Sequence, residues 1–224
     1  MQACINGAHA EKLNEHLRRS FKLALRAAES LQIDPAYINL GGGFGIPYSA
    51  EQDELDLSCV ADELSKLVER AEPTRLVLEL GRYLIAECGW YLASVVGHQT
   101  YQGRPAVIVD GGVHQRADIC GLCLRTKQKP PLVLGREPSP LAETAVLGCL
   151  SLPDDIMLEG SPLPELSVGD VLAFSNAGAY GMWSSPAIFH GSPLPAEVAF
   201  DSAAVYGMRS RKPAESILQD QSHI

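Results

Sequence analysis

Amphipathic helical periodicity occurs twice before residue 90, and the short β-prone runs that follow show no convincing further case. Over residues 11–32, Leu13, Leu17, Phe21, Leu25 and Ala28 recur every three or four positions with Lys and Arg between them, which predicts one helix. Residues 54–70 predict a second, with Leu57, Val60, Leu64 and Val68 on one face. A short β-prone run follows each helix, Tyr37–Leu40 and Arg75–Glu79, and each breaks at glycine. Helix–strand–helix–strand, with glycine loops at both strand carboxyl ends, is an α/β signal.

After Gly89 the runs Tyr91–Val96, Ala106–Val109, Leu132–Leu134, Thr144–Leu147 and Val171–Phe174 are divided by Gly, Pro and Asp, which predicts a β-sandwich or β-barrel. The expected fold is therefore α/β plus all-β. A partial (β/α) barrel domain covers residues 1–90, a β domain 91–208 and a polar tail 209–224. Two helix–strand units cannot close a barrel of eight. The first domain is thus read as a piece of a larger one, or as needing a partner over its open edge.

A net charge of −9 and a pI near 5.1 argue against a nucleic-acid footprint, which needs clustered Lys and Arg. The basic clusters Arg18-Arg19 and Arg209–Lys212 are short and read as solvated helix face and tail. No apolar run reaches the ~20 residues of a membrane span, and Met1–Lys12 lacks the order of a signal peptide. A cytoplasmic protein is expected, with neither nucleic acid nor membrane as partner. Cys120-Gly-Leu-Cys123 is a single CxxC without a second pair, so no metal site is expected.

Three glycines after a strand, Gly41-Gly42-Gly43, let backbone N–H groups converge on an anion, although a tight turn explains them equally. In Glu79-Leu-Gly-Arg82, Gly81 again permits close approach, and Glu79 sits where a carboxylate can face a ring nitrogen. A salt bridge capping the strand is the alternative account of Glu79 and Arg82, less favoured beside the first loop. Tyr180, in Gly178-Ala-Tyr180, offers a phenol to a phosphate oxygen or is simply a packed or surface tyrosine.

In combination and order, these segments resemble the pyridoxal-phosphate decarboxylases of the alanine racemase-like fold, the ornithine and diaminopimelate decarboxylases. With Leu80 where the family usually has proline, and Gly-Phe-Gly-Ile-Pro-Tyr48 after the first glycines, the chain is most similar to a subgroup linked to exosortase gene clusters. The resemblance covers most of the chain. It implies pyridoxal 5′-phosphate as cofactor, with Gly42, Gly43, Gly81, Arg82 and Tyr180 as phosphate contacts and Glu79 as partner of the pyridine nitrogen. It also implies a dimer, since the family's site is shared between subunits.

The family's Gly-Pro-x-Cys-x-x-x-Asp aligns with Gly148-Cys-Leu-Ser-Leu-Pro-Asp-Asp155, placing Ser151 on the cysteine and Asp155 on the aspartate. By that match Ser151 stands where the family governs protonation at Cα, and serine is a far poorer acid than a thiol. Cys149, two residues along on the same strand face, is the less favoured alternative to Ser151 in that role. Asp155 binds a substrate amino group or is a solvated turn residue. Diaminopimelate decarboxylases hold the distal carboxylate with an Arg after the strand end that Val109-Asp-Gly-Gly-Val-His-Gln-Arg-Ala-Asp118 resembles. Asp118 stands at that position and Arg116 two places off, so diaminopimelate is not favoured. His114 lies on the same loop, with or without a function.

Six lysines are present, at 12, 22, 66, 127, 129 and 212, on helices, in a Pro-flanked loop and in the tail. None ends a short apolar strand, where a Schiff-base lysine is held and desolvated. The chain by itself is therefore not expected to catalyse decarboxylation. It reads as a fragment of such a decarboxylase or as a non-catalytic or regulatory paralogue pairing with a full-length one. A racemase is a further alternative, disfavoured by the Gly148–Asp155 segment. The distal end of the substrate, as amino acid or carrier-linked amino acid, is left open.

Overall fold

In the computed structural model, which describes residues 9–118, 128–136 and 140–219, the chain divides into two units, Met1–Gly89 and Trp90–Ile224. The first is built from helix α1 (Ala10–Leu31), strand β1 (Tyr37–Asn39), helix α2 (Leu57–Ala71), strand β2 (Arg75–Val77) and a one-turn helix α3 (Arg82–Ile85). Strands β1 and β2 pair in parallel, with Asn39 opposite Val77. Leu13, Leu17 and Phe21 of α1 and Val60 and Leu67 of α2 are buried with Ile38 and Leu40 beneath them. Asp56 caps α2 by accepting from the Cys59 N–H at 3.0 Å, and Arg18 ties the helices together through Glu63 at 2.9 Å.

Two helix faces differ from the periodicity reading. In α2 the buried positions are Val60, Leu67 and Ala71, while Leu57 and Val68 are exposed. A stripe through positions 60, 64, 67 and 71 follows 3.6 residues per turn as well as the predicted one does. In α1 the buried stripe ends at Phe21 and Leu25 is exposed.

The second unit is a six-stranded mixed sheet in the order β5-β8-β3-β4-β6-β7, plus a hairpin. Its strands are β3 (Tyr91–Tyr101), β4 (Arg104–Val109), β5 (Leu132–Val133), β6 (Leu141–Leu147), β7 (Ile156–Pro164) and β8 (Val171–Phe174). Another short helix, α4 (Val113–Arg116), follows β4, and β9 (Glu197–Phe200) pairs with β10 (Val205–Arg209). The partial barrel and sheet domain expected from sequence are thus the architecture found.

Three strands were not anticipated. β7 carries Pro162 and Pro164, which argue against a central strand, but it lies at the sheet edge where a missing N–H is tolerated. β9 and β10 show no buried alternation to read. The region beyond 209 is not a plain tail: Lys212 bridges to Leu194, and Ala214–Leu218 forms a 3-10 turn. Among the described residues, no helix is long and apolar enough to cross a membrane.

The topology sets which loops meet. β4 and β6 are parallel, with Ile108 opposite Leu147. β3 is antiparallel to both β4 and β8, so β4, β6 and β8 all run the same way. Their carboxyl ends deliver residues 110–118, 148–155 and 175–181 to one edge of the sheet.

Candidate functional site

In the first unit, the parallel pairing brings the ends of β1 and β2 side by side. Leu40 N–H donates to the Val77 carbonyl and Glu79 N–H to the Gly41 carbonyl, both at 2.9 Å, so the two loops leave in register. Glu79 lies two residues past Val77, on the same strand face as Asn39 opposite it. The Asn39 amide accordingly donates to Glu79 Oε1 at 2.7 Å, and Asn39 Oδ1 accepts from the Gly41 N–H at 2.8 Å. A Cβ at Gly42 would collide with the Glu79 carbonyl oxygen, so only glycine allows the loops to pack this closely. Arg82 is half-buried at the start of α3, its guanidinium 5.4 Å from the Tyr48 ring centroid. Gly42, Gly43, Glu79, Gly81 and Arg82 are therefore brought together on one strand-end surface. Glu79 takes Asn39 as partner, which the salt-bridge reading did not foresee.

In the second unit, the three loops at the sheet edge are locked to one another. Cys149 N–H donates to the Gly111 carbonyl at 3.0 Å. Asp155 is 3% exposed, and its two carboxylate oxygens accept from Val113 N–H at 2.6 Å and Leu150 N–H at 2.8 Å. The solvated-turn reading of Asp155 is overturned: the carboxylate joins the loop after β4 to the loop after β6. A Cβ at Gly112 or at Gly148 would strike that carboxylate. Cys149 and Ser151 are both exposed on the loop that Asp155 anchors.

Arg116 is buried against Asp118, Nη2 to Oδ2 at 2.5 Å, and donates from Nη1 to the Ala177 carbonyl at 2.5 Å. Tyr180 follows, half exposed, with φ +61° and ψ −74°. That is a sparsely populated conformation for a residue with a Cβ, of the kind that concentrates at binding sites.

Two groups titrate unusually here. Burial holds the His114 imidazole below its ordinary 6.5, partly opposed by the Asp155 carboxylate and reinforced by His190. His114 is 1% exposed and, among the described residues, neither ring nitrogen has a hydrogen-bond partner. Desolvation, then the Asp155 carboxylate, push the Cys149 thiol above its ordinary value. It therefore stays protonated near neutral pH.

The cofactor implied by the resemblance can be tested against these residues. The glycine loop, Arg82 and a strand-end carboxylate fixed by Asn39 suit a phosphate and a pyridine nitrogen. The lysine does not appear: among the described residues, Lys12, Lys22 and Lys66 are exposed on α1 and α2, Lys129 lies in a loop and Lys212 in the β-bridge. Lys127, Cys120 and Cys123 lie outside the described residues. Among the described residues, no cluster of His, Cys, Asp and Glu could hold a metal. Asn39 and the Asp155 clip are the elements of the site missed in sequence, because both depend on strand register.

Residues 37–178 match the family described as pyridoxal-dependent decarboxylase, C-terminal sheet domain. An L-glutamyl-(BtrI acyl-carrier protein) decarboxylase from Niallia circulans is 30% identical over 95% of this chain and 52% of its own. A diaminopimelate decarboxylase from Methanothermobacter thermautotrophicus is 31% identical over 89% of this chain and 47% of its own. A solved diaminopimelate decarboxylase variant from Helicobacter pylori, complexed with L-lysine, superposes with a TM-score of 0.77 at 25% identity. It covers 94% of this chain and 50% of that one. The chain spans about half the length of the curated relatives it matches.

Proposed function

Since the chain belongs to the pyridoxal-dependent decarboxylases, we propose that it supplies the phosphate-binding loops and sheet domain of a pyridoxal 5′-phosphate-dependent amino-acid decarboxylase. The observation that carries this reading is the Asn39–Glu79 hydrogen bond of 2.7 Å beside the Gly41–Gly43 loop, at the carboxyl ends of a parallel strand pair. When bound, the cofactor supplies a protonated pyridine ring that draws electrons from Cα as the carboxylate leaves as carbon dioxide.

The chain's own residues do the rest. Glu79, oriented by Asn39, keeps the ring nitrogen protonated. Backbone N–H groups at Gly42, Gly43 and Gly81, with the Arg82 guanidinium, take the phosphate. The Tyr180 phenol donates to a phosphate oxygen. Cys149, whose thiol is held in its protonated form, delivers the proton to Cα, and Ser151 is its alternative on the same loop. Asp155 acts by fixing that loop, each of its oxygens accepting one backbone N–H.

The substrate we propose is an amino acid without a free distal carboxylate, such as a diamine precursor or a carrier-linked amino acid. Arg116, the cation nearest the position of the distal-carboxylate arginine, is committed to Asp118 and Ala177. The Niallia circulans relative is named for a carrier-linked glutamyl substrate. The Schiff-base lysine would come from outside the described residues, either from the rest of a longer enzyme or from a full-length homologue in a dimer. A regulatory paralogue in such a dimer is the second reading, favoured by exposed Ser151 in place of the family cysteine.

Equilibrium dialysis of the purified chain with pyridoxal 5′-phosphate and with pyridoxal tests the assignment of the loops. The phosphate ester is expected to bind at least about tenfold more tightly, a charge-assisted hydrogen-bond effect, and Gly42→Ala to remove most of that preference. Equal binding of both ligands by the wild type rejects the proposal.

A further inference from the structure

We infer that Arg116, together with Ser185, is a positioning residue that braces the Ala177–Gly181 loop and fixes the backbone from which Tyr180 presents its phenol. The inference rests on the proposed phosphate role of Tyr180.

A guanidinium that is 4% exposed needs partners on nearly every side. Arg116 finds Asp118 through Nη2 and the Ala177 carbonyl through Nη1, while its Cζ lies 6.0 Å from the Tyr91 ring centroid. Tied in this way through both Nη atoms, it holds the start of the loop, while its Nε has no hydrogen-bond partner among the described residues. The next residue holds the other end. Ala117 N–H donates to Ser185 Oγ at 2.9 Å, and that hydroxyl donates to the Gly181 carbonyl at 2.8 Å. Residues 116 and 117, at the end of α4, thus grip the chain at positions 177 and 181. Tyr180 lies between the two grips, at a φ of +61° that a side chain with a Cβ rarely adopts. Such a conformation persists only where its surroundings over-determine it, and two independent ties on either side do so.

The test uses the whole chain with Arg116→Met, Ser185→Ala and Tyr180→Phe, alone and combined. Hydrogen–deuterium exchange at residues 178–181 is expected to quicken about tenfold or more in both brace variants, because the open form of the loop gains population. Exchange in the six-stranded sheet stays as in the wild type. The preference for pyridoxal 5′-phosphate over pyridoxal is expected to fall about tenfold, as for the loss of one charge-assisted hydrogen bond. Adding Tyr180→Phe to either brace variant should then cost nothing more, since the brace acts through that phenol. Ser185→Ala carries the test if Arg116→Met does not fold.

Wild-type loop exchange and wild-type ligand preference in a folded brace variant overturn the inference while leaving the proposed function standing. Additive losses with Tyr180→Phe overturn it as well. A wild-type chain that binds both ligands alike overturns the proposed function, and the positioning role with it.

Discussion

A carboxylate as deeply buried as Asp155 destabilises a fold unless both of its oxygens are met, and here the N–H groups of Val113 and Leu150 meet them. Asp155→Ala is therefore expected to destabilise the sheet unit by about 2–4 kcal/mol, because it strands two backbone donors, one buried and one partly buried. Gly148→Ala, which forces a methyl into the same carboxylate, should cost about 1–3 kcal/mol. Urea unfolding measures both, and stability unchanged in either variant means the clip does not form. His114 gives a prediction in pH. Its folded pKa is depressed, so the unfolded chain binds the extra proton first as pH falls through 6.5. The sheet unit should be most stable above that pH and lose stability below it; His114→Gln should flatten the fall in melting temperature between about pH 7.5 and 5.5. An unaltered pH profile in that variant would show that another group titrates. The residues legible in sequence were those whose chemistry is local: Gly42 beside a strand end, Glu79 at the next one. Asn39 was not legible as the partner of Glu79, because only the parallel register brings together two side chains 40 positions apart. Asp155 was legible as a position but not as a clip, since a turn aspartate and a buried one have the same neighbours in sequence.

Helix α2 shows how far periodicity alone can go. Its existence and length follow from the apolar spacing, but two overlapping stripes satisfy 3.6 residues per turn. Only packing against α1 and β1 selects the stripe containing Leu67. Leu67→Ala should cost about 2–5 kcal/mol through the cavity it leaves, and Val68→Ala, at an exposed position, within about 0.5 kcal/mol. Equal costs in thermal or urea unfolding would restore the stripe first read from sequence. The strands divide on similar grounds. β8 was readable to its ends because Val171–Phe174 is a short apolar run with breakers on both sides. β7 was not, because its prolines signal a loop unless the strand is known to lie at an edge. That knowledge comes from the parallel β4–β6 pairing, a crossover that no local pattern announces.

Taken whole, the chain carries a unit with strand-end glycine loops and a sheet unit, and its relatives are about twice as long. The covalent anchor of the chemistry is what separates a self-sufficient enzyme from a contributor to a shared one. A Schiff-base lysine must be immobilised and partly desolvated to react selectively, whereas the described helix lysines are exposed and Lys129 and Lys212 lie in a loop and a β-bridge. Mixing the chain with pyridoxal 5′-phosphate, reducing with borohydride and mapping peptides should therefore give scattered, substoichiometric labelling. Adding a lysine-bearing homologue should concentrate the label on that partner and allow carbon dioxide release from a diamine precursor or a carrier-linked amino acid. Under that mixture Tyr180→Phe and Gly42→Ala in this chain should lower the release if the loops serve the shared site, and leave it untouched if the chain only regulates. One lysine of this chain labelled stoichiometrically, with the homologue absent, would make the chain its own catalyst and remove the need for a partner.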